Sequence, residues 1–96
     1  MSAYLIGDIS IHDHEIYTEY VRRVPPLIKK HGGVYIVRGG NSEPLEGSWY
    51  PERLVVIKFP HMDAAKEFID DPEYAPVKAL RDEAATTHML LVEGSA

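Results

Sequence analysis

The sequence predicts a single α+β domain in the order β-α-β-β-α-β, a four-stranded antiparallel sheet with both helices on one face. Three observations carry this. "AYLIGDISI" and "RLVVIKF" alternate with the period of two that a strand requires. Ile16, Tyr17, Tyr20, Val21, Val24, Leu27 and Ile28 recur at helical spacing. The 96 residues, 45% hydrophobic and 26% charged, suffice for one core spanning residues 1–96 and leave no room for a second.

In the first strand, Ala3–Ile11, the side chains of Leu5, Gly7, Ile9 and Ile11 make an apolar face, and Tyr4, Ile6, Asp8 and Ser10 a mixed one. Asp13 is placed to cap the following helix, and Glu15 to meet the positive end of its dipole. Pro25 and Pro26 interrupt that helix, because a proline removes a backbone donor and crowds the preceding turn. The stripe resumes through Lys30 until "HGG" stops it. Val34–Arg38 and Arg53–Phe59 read as the second and third strands. Pro60 and the region of Asp63 open the next helix, with Ala64, Ala65, Phe68 and Ile69 as its stripe. "DDP" ends it, Tyr74, Val77, Leu80 and Ala84 form a further helical stripe, and Thr86–Gly94 is the fourth strand. This order is the ferredoxin-like pattern.

Composition narrows the function. Fifteen acidic against ten basic residues give a net charge of -5, without any lysine/arginine run, so neither nucleic acid nor an anionic membrane is an expected partner. The absence of cysteine excludes disulfides, thiol nucleophiles and thiolate metal sites, and fits a cytoplasmic location. "MSAYLIGDISIHDHE" lacks a basic leader and meets Asp8 too soon for a signal peptide. No run approaches the roughly 20 apolar residues of a membrane span. With no nucleotide-type glycine loop either, no cofactor is expected.

One sheet face calls for cover. Tyr4, Ile6 and Asp8 of the first strand and Leu54, Val56 and Lys58 of the third are too apolar for open water and too polar for a dry core. A second copy packed sheet to sheet would enclose them, so a homodimer is expected. Three segments, "HGGVYIVRGG", "LEGSWYPERLVVIKFP" and "AAKEFIDDPEYAPVKALRDEAA", resemble the family catalogued as domain of unknown function 1330. The pairing of Arg-Gly-Gly with Glu-Gly-x-Trp-x-Pro-x-Arg is the specific part: Arg38, Gly39, Gly40, Glu46, Gly47, Trp49 and Arg53. The resemblance implies a ferredoxin-like protomer in a dimeric α+β barrel, a group that includes cofactor-free monooxygenases, haem-degrading monooxygenases and muconolactone-type isomerases. It implies no established catalytic residue.

Several residues are candidates for a site. Arg38 with Gly39 and Gly40 suits an anion pocket, because a guanidinium grips a carboxylate with two hydrogen bonds and glycine lets backbone N–H groups approach. The plainer reading is a strand-end arginine paired with Glu43 or Glu46. Trp49 is either a wall over a planar ligand or a plug that seats its loop on the sheet or in a dimer contact. Asp8 and His88 sit on strands that are neighbours in this fold, where a carboxylate orienting an imidazole makes a general base, or simply a structural hydrogen bond. His12 and His14 have no third ligand at a metal-site spacing, so no metal is expected. Arg53 and Tyr4 complete the ligand-binding candidates; most of the six tyrosines should bury their rings and keep their hydroxyls at the rim.

The functional expectation is a small-molecule-binding protein or cofactor-free enzyme, monooxygenase- or isomerase-like, acting on a carboxylated or phenolic compound in a dimer-enclosed cavity. Arg38 and the loop of Trp49 are expected to border the same space. The alternative is a non-catalytic ligand-binding or regulatory module of the same fold.

Overall fold

In a computed structural model covering residues 1–96, strands β1 (Ala3–Ile11), β2 (Val34–Arg38), β3 (Arg53–Phe59) and β4 (Ala85–Glu93) form one antiparallel sheet in the order β2-β3-β1-β4. This is the expected ferredoxin-like α+β arrangement. The helical layer is four segments: α1 (His14–Arg23), α2 (Pro25–Lys30), α3 (Met62–Asp70) and α4 (Ala75–Ala84).

Local chemistry accounts for the boundaries. Asp13 caps α1, its Oδ1 accepting from the Ile16 N–H at 3.1 Å. The break at Val24 follows from Pro25 and Pro26, which open α2 at positions where no N–H donor is required. α3 opens in the region of Pro60 and Asp63, as expected. The cap is His61, whose Nδ1 accepts from the Ala64 N–H at 3.1 Å, while Asp63 lies inside the first turn. The α3–α4 junction is held by Asp71, which the sequence reading treated only as a stop signal. Its buried carboxylate accepts from Lys30 Nζ at 2.8 Å, His31 Nε2 at 2.7 Å and the Glu73 N–H at 2.9 Å. Those donors, Lys30 first, hold the Asp71 carboxyl well below the usual carboxylate range. The group thereby ties the end of α2 to the α3–α4 junction.

The core lies between the sheet and the helices. Leu5, Ile9, Val55, Ile57 and Phe59 from β1 and β3 meet Tyr17, Tyr20, Val24, Ile28, Phe68, Tyr74 and Val77 from the helical layer. Phe68 is its aromatic centre, with ring centroids 5.7 Å from Phe59 and 4.4 Å from Tyr74. The opposite sheet face carries Tyr4, Ile6, Asp8, Leu54, Val56 and Lys58, paired as Tyr4↔Lys58, Ile6↔Val56 and Asp8↔Leu54. No helix covers it, and Val34 and Leu90 are 61% and 62% exposed. No helix of the chain is long and apolar enough to cross a membrane.

Candidate functional site

A cavity with about 30 Å³ of open space lies inside the protomer, between the sheet and the helices. Leu5, Gly7 and Ile9 of β1 and Val55 and Ile57 of β3 form its floor, and Tyr17, Tyr20, Val24, Phe68 and Tyr74 its roof. Three arginines reach it from three elements: Arg38 from β2, Arg53 from β3 and Arg81 from α4. No aspartate, glutamate or histidine lines it.

Arg38 reaches this side through an irregularity. Strict alternation along β2 would set Tyr35 and Arg38 on opposite faces. The β2–β3 register instead shifts between Tyr35 and Val37, so that Tyr35 pairs with Ile57 and Arg38 with Val55, both core residues. One extra residue, Ile36, absorbs the shift as a β-bulge, a device that re-aims a side chain. The Arg38 guanidinium then stands 4.3 Å from the centroid of the Tyr35 ring. Gly39 does related work for Arg53. At φ +70 it adopts a conformation that suits glycine, and a Cβ there would collide with the Arg53 guanidinium. The Arg-Gly pair of the sequence motif thus supplies one guanidinium and makes space for another.

The charge balance inside is unusual. None of the ion pairs of the protein involves Arg38, Arg53 or Arg81. The plainer reading of Arg38, a pair with Glu43 or Glu46, does not hold. Arg81 is only 4% exposed, and its Nε has no hydrogen-bond partner; the buried Nε of Arg53 lacks one too. Aromatic faces provide partial compensation, with Arg53 5.6 Å from the Tyr17 ring and Arg81 5.8 Å from the Tyr20 ring. Such contacts contribute about 0.5–2 kcal/mol each. Desolvating a guanidinium without a counterion costs on the order of several kcal/mol, so the rings offset only part of it. Burial pushes the Tyr17 and Tyr20 hydroxyls above the usual phenol range, with nearby arginines opposing it. They are therefore O–H donors at neutral pH, and the Tyr20 and Tyr74 hydroxyls lie 3.0 Å apart.

The remaining candidates lie elsewhere. Asp8 and His88 are register partners on β1 and β4, as adjacency of those strands requires, but they occupy the uncovered face. The Asp8 carboxylate accepts from Trp49 Nε1 at 2.7 Å. Trp49, 60% exposed, lies over the uncovered face beside Ile6, Asp8, His88 and Leu90. The expectation that Arg38 and the Trp49 loop border one space is therefore corrected: the sheet separates them. The loop is pinned to β1 at both Asp8 and the Ile11 N–H, which donates to Glu52. Tyr4 also lies on the uncovered face, Gly40 stands in the open with no neighbour within 4 Å of a Cβ position, and His12 and His14 are exposed at the β1–α1 turn.

Sequence reasoning overlooked Arg81. A signal was present: Tyr74, Val77, Arg81 and Ala84 are spaced by three, four and three residues, one helical stripe, and all four are buried.

Solved structures share this architecture. A protein of unknown function from Rhodopseudomonas palustris, RPA0582, is 18% identical, with 99% of this chain and 83% of that chain covered at a TM-score of 0.80. SnoaB, a cofactor-independent oxygenase from Streptomyces nogalater, is 11% identical, with 99% of this chain and 94% of that chain covered at a TM-score of 0.68. No protein of curated function matches the sequence. Residues 2–95 match the family described as Domain of unknown function (DUF1330), and the chain belongs to that family.

Proposed function

We propose that this chain is a small-molecule-binding protein, built on cofactor-free lines, whose ligand is a carboxylated or phenolic compound held in the cavity between sheet and helices. The observation that carries the reading is an aromatic-walled space between sheet and helices, bordered by Arg38, Arg53 and Arg81 with no acidic side chain in its lining. Arg38 and Arg53 are the ligand-binding residues expected from sequence that border it, and Gly39 serves by admitting Arg53. An oxygenase- or isomerase-type reaction there would rest on substrate chemistry, with guanidiniums stabilising a developing oxyanion. The structural likeness to SnoaB, a cofactor-independent oxygenase, is compatible with this.

The protein works in the cytoplasm as a homodimer in which a second copy covers the uncovered sheet face. Exposed Val34, Ile36, Val37, Leu90 and Val92 support that cover, and a small domain gains from it. Asp8, Trp49, His88 and Tyr4 then belong to the dimer contact rather than to the ligand. Sedimentation at micromolar concentration checks the assembly; a lone species near 10.8 kDa overturns it.

The ligand reading is tested by thermal shift, screening carboxylates and phenols on the wild type and on Arg38→Met. The substitution keeps an unbranched stem and removes charge and donors. Loss of a charge-assisted contact is expected to weaken binding by about 1.5–3 kcal/mol while folding survives. Equal shifts in both proteins would mean that Arg38 has no part in binding.

A further inference from the structure

We propose that the inner end of the cavity is a carboxylate seat formed by Arg81 and Arg53, and that the ligand enters it with its carboxylate first. The inference rests on the small-molecule reading above and narrows it to one chemical class and one orientation.

Arg81 is the key. It is 4% exposed and lines the cavity, and its Nε is buried without a partner, as is that of Arg53. A guanidinium stays charged at any physiological pH. An arginine that serves packing alone would be expected to pair with a carboxylate or with backbone carbonyls through this nitrogen. Here the two arginines that carry such nitrogens line the same small space in a chain whose net charge is -5. An anion with planar oxygen acceptors suits this arrangement, and a carboxylate matches the edge of a guanidinium with two parallel hydrogen bonds.

The absence of a lining base decides between carboxylate and phenol. The cavity contains no carboxylate or imidazole to take a proton, and the Tyr17 and Tyr20 hydroxyls hold theirs more firmly than usual because they are buried. A ligand must arrive already ionised. A carboxylic acid, with a pKa of about 4, does so at neutral pH, and a phenol, at about 10, does not. Tyr17 and whichever of the mutually bonded Tyr20 and Tyr74 keeps its O–H free supply further hydroxyl donors at the same wall. Space of about 30 Å³ admits the head group alone, so the body of the ligand extends toward exposed Arg38 and half-buried Tyr35, whose ring offers a flat surface. A planar monocarboxylate fits this description.

The test is calorimetric titration of the full chain at constant ionic strength with benzoate, benzamide and phenol, on the wild type, Arg81→Met and Arg38→Met. The wild type is expected to bind benzoate at least tenfold more tightly than benzamide or phenol. Arg81→Met should lose that preference, and its melting temperature without ligand should hold or rise, since the change removes a buried charge that makes no ion pair and is only partly compensated. A structural arginine would behave in the opposite way, with lower stability and unchanged affinity. The comparison of benzoate with benzamide on the wild type needs no variant, so a failure of Arg81→Met to fold does not shield the proposal. Benzamide or phenol binding as well as benzoate overturns the carboxylate seat and leaves the cavity reading standing. Binding of none of the three overturns both.

Discussion

The two faces of the sheet treat charge in opposite ways. On the helix-covered face, Arg38, Arg53 and Arg81 gather around a small cavity with no acidic side chain in its lining, and the most enclosed of them, Arg81, keeps a buried Nε without a partner. On the uncovered face, where water reaches every group, Asp8 already has a donor in the Trp49 indole. An exposed charge needs no partner and gains little from one, whereas a buried charge without one is costly. The pairing on the open side and the deficit on the covered side are the contrast on which the proposed ligand site rests.

The strongest way to break this comparison is to remove apolar bulk from each side. Phe68→Ala empties the centre of the aromatic stack and is expected to lose about 3–5 kcal/mol in urea unfolding. Leu90→Ala on the uncovered face should change the stability of an isolated protomer by less than about 0.5 kcal/mol. A larger, concentration-dependent loss for Leu90→Ala would reveal a second copy on that face; comparable losses for both in a dilute protomer would erase the distinction between faces.

Gly39→Ala comes next. It forces a Cβ into a left-handed backbone position, costing about 1–2 kcal/mol, and displaces the Arg53 guanidinium. Thermal unfolding should show the stability loss, and the response to carboxylates should fall with it. Retained carboxylate binding would mean that Arg53 can be moved without consequence. Trp49→Phe is smaller: it deletes the donor to Asp8 on the open side and should cost about 0.5–1.5 kcal/mol without altering ligand response. A changed ligand response would connect the two faces through the loop.

Asp71 gives a distinct pH signature. Its carboxyl is held below the ordinary range by Lys30, His31 and the Glu73 N–H, so its contribution is fully present above the unfolded-state value of about 3.9 and is lost as pH falls below it. The urea midpoint of the wild type should decline between about pH 4 and pH 2 more steeply than that of Asp71→Asn. Parallel declines would show that other carboxylates govern acid unfolding.

Much of this molecule was legible in the amino-acid sequence. Period-two alternation located β1 and β3 and assigned Tyr4, Ile6, Asp8, Leu54, Val56 and Lys58 to one face, which the register Tyr4↔Lys58, Ile6↔Val56 and Asp8↔Leu54 bears out. The Asp13 cap and the break at Pro25 and Pro26 were equally readable, because caps and prolines act through the adjacent few residues. What tertiary structure alone decided was the side of the sheet on which each functional candidate falls. Alternation counts residues, and the bulge at Ile36 adds one to the count without any local signature, so Arg38 turns toward the helices while Trp49 remains on the other face. Arg81 belonged to a readable helical stripe, yet a stripe says only that a residue faces inward. That it lines one cavity with Arg53 and two tyrosines from α1, with no carboxylate among them, depends on how α4 and α1 dock over the sheet. Such docking is a relation between elements far apart in the chain, fixed by packing and not by the residues of either one.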